Sequence, residues 1–221
     1  MRGKNVKLKK PNLVKSVLIH PSYGTPVAQY AAIAQCETLV WELGDNFQKQ
    51  TYRNRMNIAT STGVLRLSIP IIHKKNKEGH QRSEDVQIEN KFPWQRDHWR
   101  SLKIAYQTSP YFEYYEDTFE PLYTTVYEKL IDFQMALHDI IMECLQLEVE
   151  TTINRDFEKE TVHTDYRNLV LAKKKPKVTL PDYHQLFADN HDYLPNLTVL
   201  DLLFNEGTNA LTYLEKVAFI G

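Results

Sequence analysis

The chain has 221 residues, 42% hydrophobic and 25% charged, with a formal net charge of -1, which suits one sizeable core and gives no overall pull toward nucleic acid or an acidic membrane. No apolar run approaches the roughly 20 residues that span a bilayer, and the basic first ten residues are not followed by the apolar stretch of a signal peptide. Two cysteines without paired spacing, Cys36 and Cys144, suit a reducing compartment, so a cytoplasmic location is expected and the Asn196-Leu197-Thr198 sequon reads as chance.

Residues 1–14 read as a polar tail, and 15–221 as one domain. Ser16-Val17-Leu18-Ile19-His20 is a short apolar run ending at Pro21, as a buried strand would. Past the turn Pro21-Ser22-Tyr23-Gly24, Thr25 is a good N-cap and Pro26 a good first helical residue. Val27, Tyr30, Ala31 and Ala34 then share one face of a short helix. Residues 38–43 form the next strand. A βαβ unit over 15–43 implies parallel strands and a ligand near their C-terminal ends, beside His20, Tyr23 and the segment after Leu43.

Strands over 55–60 and 64–71 flank Ser61-Thr62-Gly63 and predict a hairpin, with Leu65, Leu67 and Ile69 alternating as a half-buried strand requires. This hairpin is expected to join the βαβ sheet and make it mixed. Residues 73–84 have no apolar periodicity and read as an exposed loop able to move over a site, and Val86-Gln87-Ile88 as a short returning strand. After Pro93 a helix begins, with Trp99, Leu102 and Tyr106 as the body of one face and His98, Ser101 and Lys103 around its edge. That face is a plain core pattern and equally a lining for a polar ligand.

Leu122, Val126, Leu130, Phe133, Leu137, Ile140 and Cys144 recur at threes and fours, predicting one amphipathic helix of roughly 25 residues and about 40 Å. Residues 155–180 lose that periodicity, and Lys173-Lys174-Lys175-Pro176-Lys177 reads as a solvated loop. Leu197, Leu200, Leu203 and Phe204 fit a short helix stopped by Gly207, and Thr208 can cap a last one carrying Leu211 and Leu214. The expected fold is α/β: a mixed sheet packed against the long helix and C-terminal helices.

Glycine-rich phosphate loops, G-x-G-x-x-G, H-E-x-x-H and G-x-S-x-G are all absent, which weakens nucleotide hydrolysis, hydride transfer and serine hydrolysis. His184 and His191, with Asp189 and Asp192, lack the paired ligand spacing of a zinc site. No metal and no cofactor are expected. Cys144 reads as a small hydrophobe and Cys36 has no adjacent base. The segment Gln48-Lys49-Gln50-Thr51-Tyr52-Arg53-Asn54-Arg55 sets three cations, amides and a phenol together, donors suited to a carboxylate or phosphate, or else a charged surface turn.

The blocks His20-Pro21-Ser22-Tyr23, Gln50-Thr51-Tyr52-Arg53-Asn54-Arg55, His98-Trp99-Arg100-Ser101-Leu102 with Tyr106 and Pro110-Tyr111-Phe112, and Asp201-Leu202-Leu203-Phe204-Asn205-Glu206-Gly207, taken in order, resemble the WbqC-like family of bacterial proteins. The resemblance spans about residues 17–214, and His20 stands where glutamine is the expected residue. It implies a part in surface-polysaccharide synthesis: an acyl or aminoacyl group attached to an amino sugar carried on a nucleotide. The partners would be a nucleotide sugar and an acyl donor or carrier protein. For such a reaction the candidates are His98 as base and Asn54 as oxyanion donor, with Tyr23, Arg53, Arg55, Trp99, Arg100, Lys103 and Tyr106 binding the ligand. Asn54, Arg55, His98 and Trp99 are expected to face one pocket. A non-catalytic sugar-nucleotide or carrier-protein binding module is the competing class; it keeps the arginine cluster and does not need His98.

Overall fold

The computed structural model describes residues 13–73 and 81–220. Strand β1 (Val14–Ile19), helix α1 (Val27–Ala34) and strand β2 (Cys36–Glu42) form the expected βαβ unit, with β1 and β2 parallel and Val17 beside Leu39. Val17, Leu18 and Ile19 are fully enclosed, as are all eight residues of α1, because a parallel sheet is covered on both faces and its strands read as continuous apolar runs. The hairpin also forms, as β3 (Arg55–Thr60) and β4 (Gly63–Ser68).

Next come β5 (Ile71–Ile72) and β6 (Gln87–Ile88), paired with each other. Helices α2 (Trp94–Tyr106), α3 (Phe112–Thr124) and α4 (Leu130–Cys144) follow, then β7 (Glu150–Asn154), β8 (Thr164–Asp165) and β9 (Val178–Thr179). Helices α5 (Ala188–His191), α6 (Val199–Glu206) and α7 (Asn209–Lys216) and strand β10 (Ala218–Phe219) end the described chain. The main sheet has the order β7-β2-β1-β8, all parallel. The fold is a single α/β domain. The expected polar tail lies mostly outside the described residues, as does part of the 73–84 loop.

Two expectations change in detail. The hairpin keeps a sheet of its own. Both edges of β1 are already occupied, by β2 and β8. Groups on β3 find other partners: the Ala59 N–H donates to the Tyr106 hydroxyl, and Asn57 O accepts from Thr198 N at 3.0 Å. The long helix is two helices. Thr125 is extended (φ -88°, ψ 132°) and Val126 is 68% exposed. Ile88 N donates to Glu128 O and Leu130 N donates to Val86 O, each at 2.9 Å. Pairing of Glu128 and Leu130 with the β6 segment therefore replaces helical bonds just after Thr125 and Val126, β-branched residues that favour extended backbone.

The C-terminal helices lock onto α1 through backbone groups. Asn196 Oδ1 accepts from Ala28 N at 2.9 Å, Val27 N donates to Leu197 O and Val199 N donates to Thr25 O. Each helix thereby has early N–H groups satisfied by the segment preceding the other. Gly207 ends α6 at φ 55°, a conformation glycine adopts without strain. Phe204 of α6 meets the rings of Phe112 and Phe119 edge-on. That aromatic cluster joins α6 to α3.

Candidate functional site

Four strands running the same way bring four chain exits to one edge of the sheet. His20 lies beyond β1, Gly44 and Asp45 beyond β2, Phe157 beyond β7 and Arg167 beyond β8, and all line one cavity of about 570 Å³. Open α/β sheets bind ligands there.

His20 is held from both sides. Its carbonyl accepts from Gln29 Nε2 of α1 at 2.6 Å, and its Nδ1 lies 3.3 Å from the backbone oxygen of Glu42. A carbonyl only accepts, so Nδ1 carries the proton and the Nε2 lone pair faces Asp45, whose Oδ2 is 3.6 Å away. Burial, then the Arg53 charge, push the His20 pKa down to about 3, so the ring is neutral at physiological pH. Asp45 takes Arg53 on Oδ2 and the Ser83 hydroxyl, at 2.6 Å, on Oδ1. Burial raises its pKa, against the pull of Arg53.

A second charged layer lies beside the first. Glu42 is fully enclosed; its Oε1 accepts from Gly44 N at 2.8 Å, and its Oε2 is 3.5 Å from Arg167. Burial raises this carboxyl above its ordinary pKa. Arg167 makes a two-pronged contact with Asp165 and lies over the Phe157 ring at 5.3 Å. A Cβ on Gly44 would lie 2.5 Å from Phe157 N and 2.6 Å from Arg155 O, both backbone atoms that cannot swing aside. Gly44→Ala should therefore cost roughly 1–3 kcal/mol and displace the Phe157 wall. Chemical denaturation checks this, and an unchanged midpoint would show that the two loops do not pack this closely.

Of the sequence-derived candidates, Arg53 alone contacts this cluster. Tyr23 and His98 come together in the core, hydroxyl to Nδ1 at 2.8 Å with stacked rings, and burial lowers the His98 pKa to about 4. Asn54 donates its amide to Ile69 O at 2.9 Å, and Arg55 is half-buried. Trp99 stacks on Tyr123 and reaches Glu120, Lys103 pairs with Glu116, Arg100 is exposed, and Tyr106 donates to Asp201 at 2.7 Å. The cavity beyond the sheet is lined by none of Asn54, Arg55, His98 and Trp99.

A family model settles kinship: the WbqC-like protein family matches residues 21–176. The chain belongs to the WbqC-like protein family. The match takes in Asp45, Arg53 and Arg167 and begins just after His20. "Uncharacterized protein Rv1507c" of Mycobacterium tuberculosis is 24% identical over 198 residues, 76% of this chain and 83% of that one. No solved structure matches.

The βαβ unit put this family member's cavity beside His20 and the segment after Leu43, as expected, but not beside Tyr23, which is enclosed against His98. Sequence reasoning missed Glu42, Asp45 and Arg167 as participants. Arg167 enters only because β8 pairs with β1, and a two-residue strand carries almost no periodic signal. The β-branched run Thr151-Thr152-Ile153 was an available sign of β7. Among the described residues no group of three or more His, Cys, Asp or Glu is placed to hold a metal, and no helix is long and apolar enough to cross a membrane. Burial raises Cys36 to about 12 and Cys144 to about 11, so both are thiols at neutral pH.

Proposed function

We propose that this WbqC-like protein is a transferase that binds a nucleotide-linked amino sugar in the cavity beyond the parallel strands and moves an acyl or aminoacyl group onto the sugar amine, in surface-polysaccharide synthesis. The observation that carries the reading is the neutral His20 imidazole facing Asp45 at 3.6 Å. Two acceptors at that distance call for a shared donor, and an amine or hydroxyl of the ligand supplies one. Arg167, beside them, adds positive charge toward a diphosphate, its N–H groups being held by Asp165, Glu42 and the Glu158 and Lys159 carbonyls.

In this reaction the amine nitrogen attacks the acyl carbonyl carbon and the C–N bond forms. The donor's oxygen or sulfur leaves with the electron pair of the broken bond, and the amine proton passes to His20 Nε2. Asp45 stabilises the resulting imidazolium, and Arg53 holds Asp45 in place. The base role thus falls on His20. His98 and Tyr23 become a buried pair that supports the turn after β1.

Titration calorimetry with UDP-glucosamine tests the binding half. Arg167→Ala should weaken binding by about tenfold, through loss of the positive charge facing the diphosphate. His20→Gln should leave binding within about twofold while slowing transfer by about a hundredfold or more. Binding that persists with no transfer from any activated acyl ester or thioester supports the non-catalytic module instead. Transfer lost in His98→Ala and kept in His20→Gln would move the base back to α2.

A further inference from the structure

We infer that a second cavity, next to the first along the chain, binds a polyphosphorylated ligand with an apolar or ring-bearing end. The inference stands apart from the transferase reading, because this cavity has its own lining and its own charge. Residues 167–171 line the first cavity with Arg167, Asn168, Val170 and Leu171, and the chain continues directly into Ala172, Lys173, Lys174 and Lys175, which line the second, of about 580 Å³. Tyr52, also in the second lining, donates its backbone N–H to Val170 O at 2.8 Å.

The charge in this cavity has one sign. A turn closed by Lys174 N donating to Leu171 O presents three consecutive lysines, and no aspartate or glutamate is in the lining. Arg66 adds a fourth cation close by: its Nε donates to Asn57 Oδ1 at 3.3 Å, and Asn57 Nδ2 donates to the Tyr52 hydroxyl at 3.5 Å. Concentrated positive charge without carboxylates favours a ligand carrying several negative charges. The opposite character comes from Val64, Val178, Leu180 and Leu197, which give an apolar wall too extensive for a bare inorganic ion. A nucleoside polyphosphate and a coenzyme carrying a nucleotide diphosphate share this chemistry: phosphates for the lysines and a ring or apolar arm for the wall.

Calorimetry at about 0.15 M ionic strength, where long-range attraction is screened, separates the sources by using ATP, coenzyme A and inorganic tripolyphosphate as probes. ATP or coenzyme A should bind at least tenfold more tightly than tripolyphosphate, and the tighter of the two assigns the ligand class. Joint replacement Lys173→Gln, Lys174→Gln and Lys175→Gln, at exposed positions that leave the core intact, should weaken that binding by tenfold or more. His20→Gln, in the other cavity, should leave it unchanged. Equal affinity for tripolyphosphate, no binding of either organic probe, undiminished binding by the triple variant or loss of binding in His20→Gln would each overturn the inference.

Discussion

Lowering the pH from 7 to 5 should destabilise this protein by several kcal/mol, through three histidines that the fold keeps neutral. His20, His98 and His138 have pKa values lowered to about 3, 4 and 4, in each case chiefly by burial. In the unfolded chain they titrate near 6.5. As pH falls below 6.5 the unfolded state takes up protons that the folded state refuses, so stability declines from there toward the folded pKa values. At pH 5 this amounts to about 2 kcal/mol for each ring, together a large part of a typical stability of roughly 5–15 kcal/mol.

Asp201 opposes this. It is buried between the hydroxyls of Tyr106 and Tyr183, each donating at 2.7 Å, and burial raises its pKa to about 6. A raised carboxyl pKa means that the folded state takes the proton first, so acidification from pH 6 toward 3.8 favours folding, by roughly 1 kcal/mol at pH 5. Glu42 and Asp45, also raised by burial, act in the same direction. Urea denaturation at pH 7 and pH 5 measures the net loss. His138→Gln, whose amide can still meet the Tyr30 hydroxyl that lies 2.9 Å from His138 Nδ1, should reduce the pH dependence by about 2 kcal/mol. Superimposable wild-type curves at the two pH values would contradict the burial of three neutral rings.

Asp45→Ala should cost about 3–5 kcal/mol, more than a truncation of its size suggests, because it strands a charge. Arg53 is 3% exposed and Asp45 is its ion-pair partner among the described residues; its NH1 already has no hydrogen-bond partner there. The Ser83 hydroxyl loses its acceptor as well. The double variant Asp45→Ala with Arg53→Met removes both charges and should recover most of the loss, since the penalty belongs to the unpaired guanidinium. Thermal and urea melts of the two single variants and the double make the cycle. A single-variant loss under about 1 kcal/mol, or no recovery in the double, would show that water reaches this pair and screens it.

The boundaries at the start of the chain were readable because local rules and burial agree there. Continuous apolar runs bounded by His20-Pro21 and Gly44, with Pro26 before a buried helix, admit one parallel unit. The cavity's location followed from that unit alone. Residues 122–144 show the reverse case: their apolar spacing continues across the interruption between α3 and α4, because spacing records which side chains face the core and says nothing of whether helical hydrogen bonds run unbroken between them.

By itself the sequence determined the α/β class, the parallel βαβ unit, the hairpin, the tryptophan helix and the membership carried by its ordered blocks, since each rests on residues close together in the chain. Only the tertiary structure decided which polar groups meet. Tyr23 with His98, Tyr106 with Asp201, Asn54 with Ile69 and Arg53 with Asp45 are pairings set by packing. Because enclosed polar groups must find partners, the candidates Tyr23, Arg53, Asn54, His98 and Tyr106 are bonded within the protein, while His20 and Asp45 face each other as two acceptors at the sheet's open edge. No local pattern encodes that difference: it arises from strands β7 and β8, distant in sequence, closing on either side of the first two.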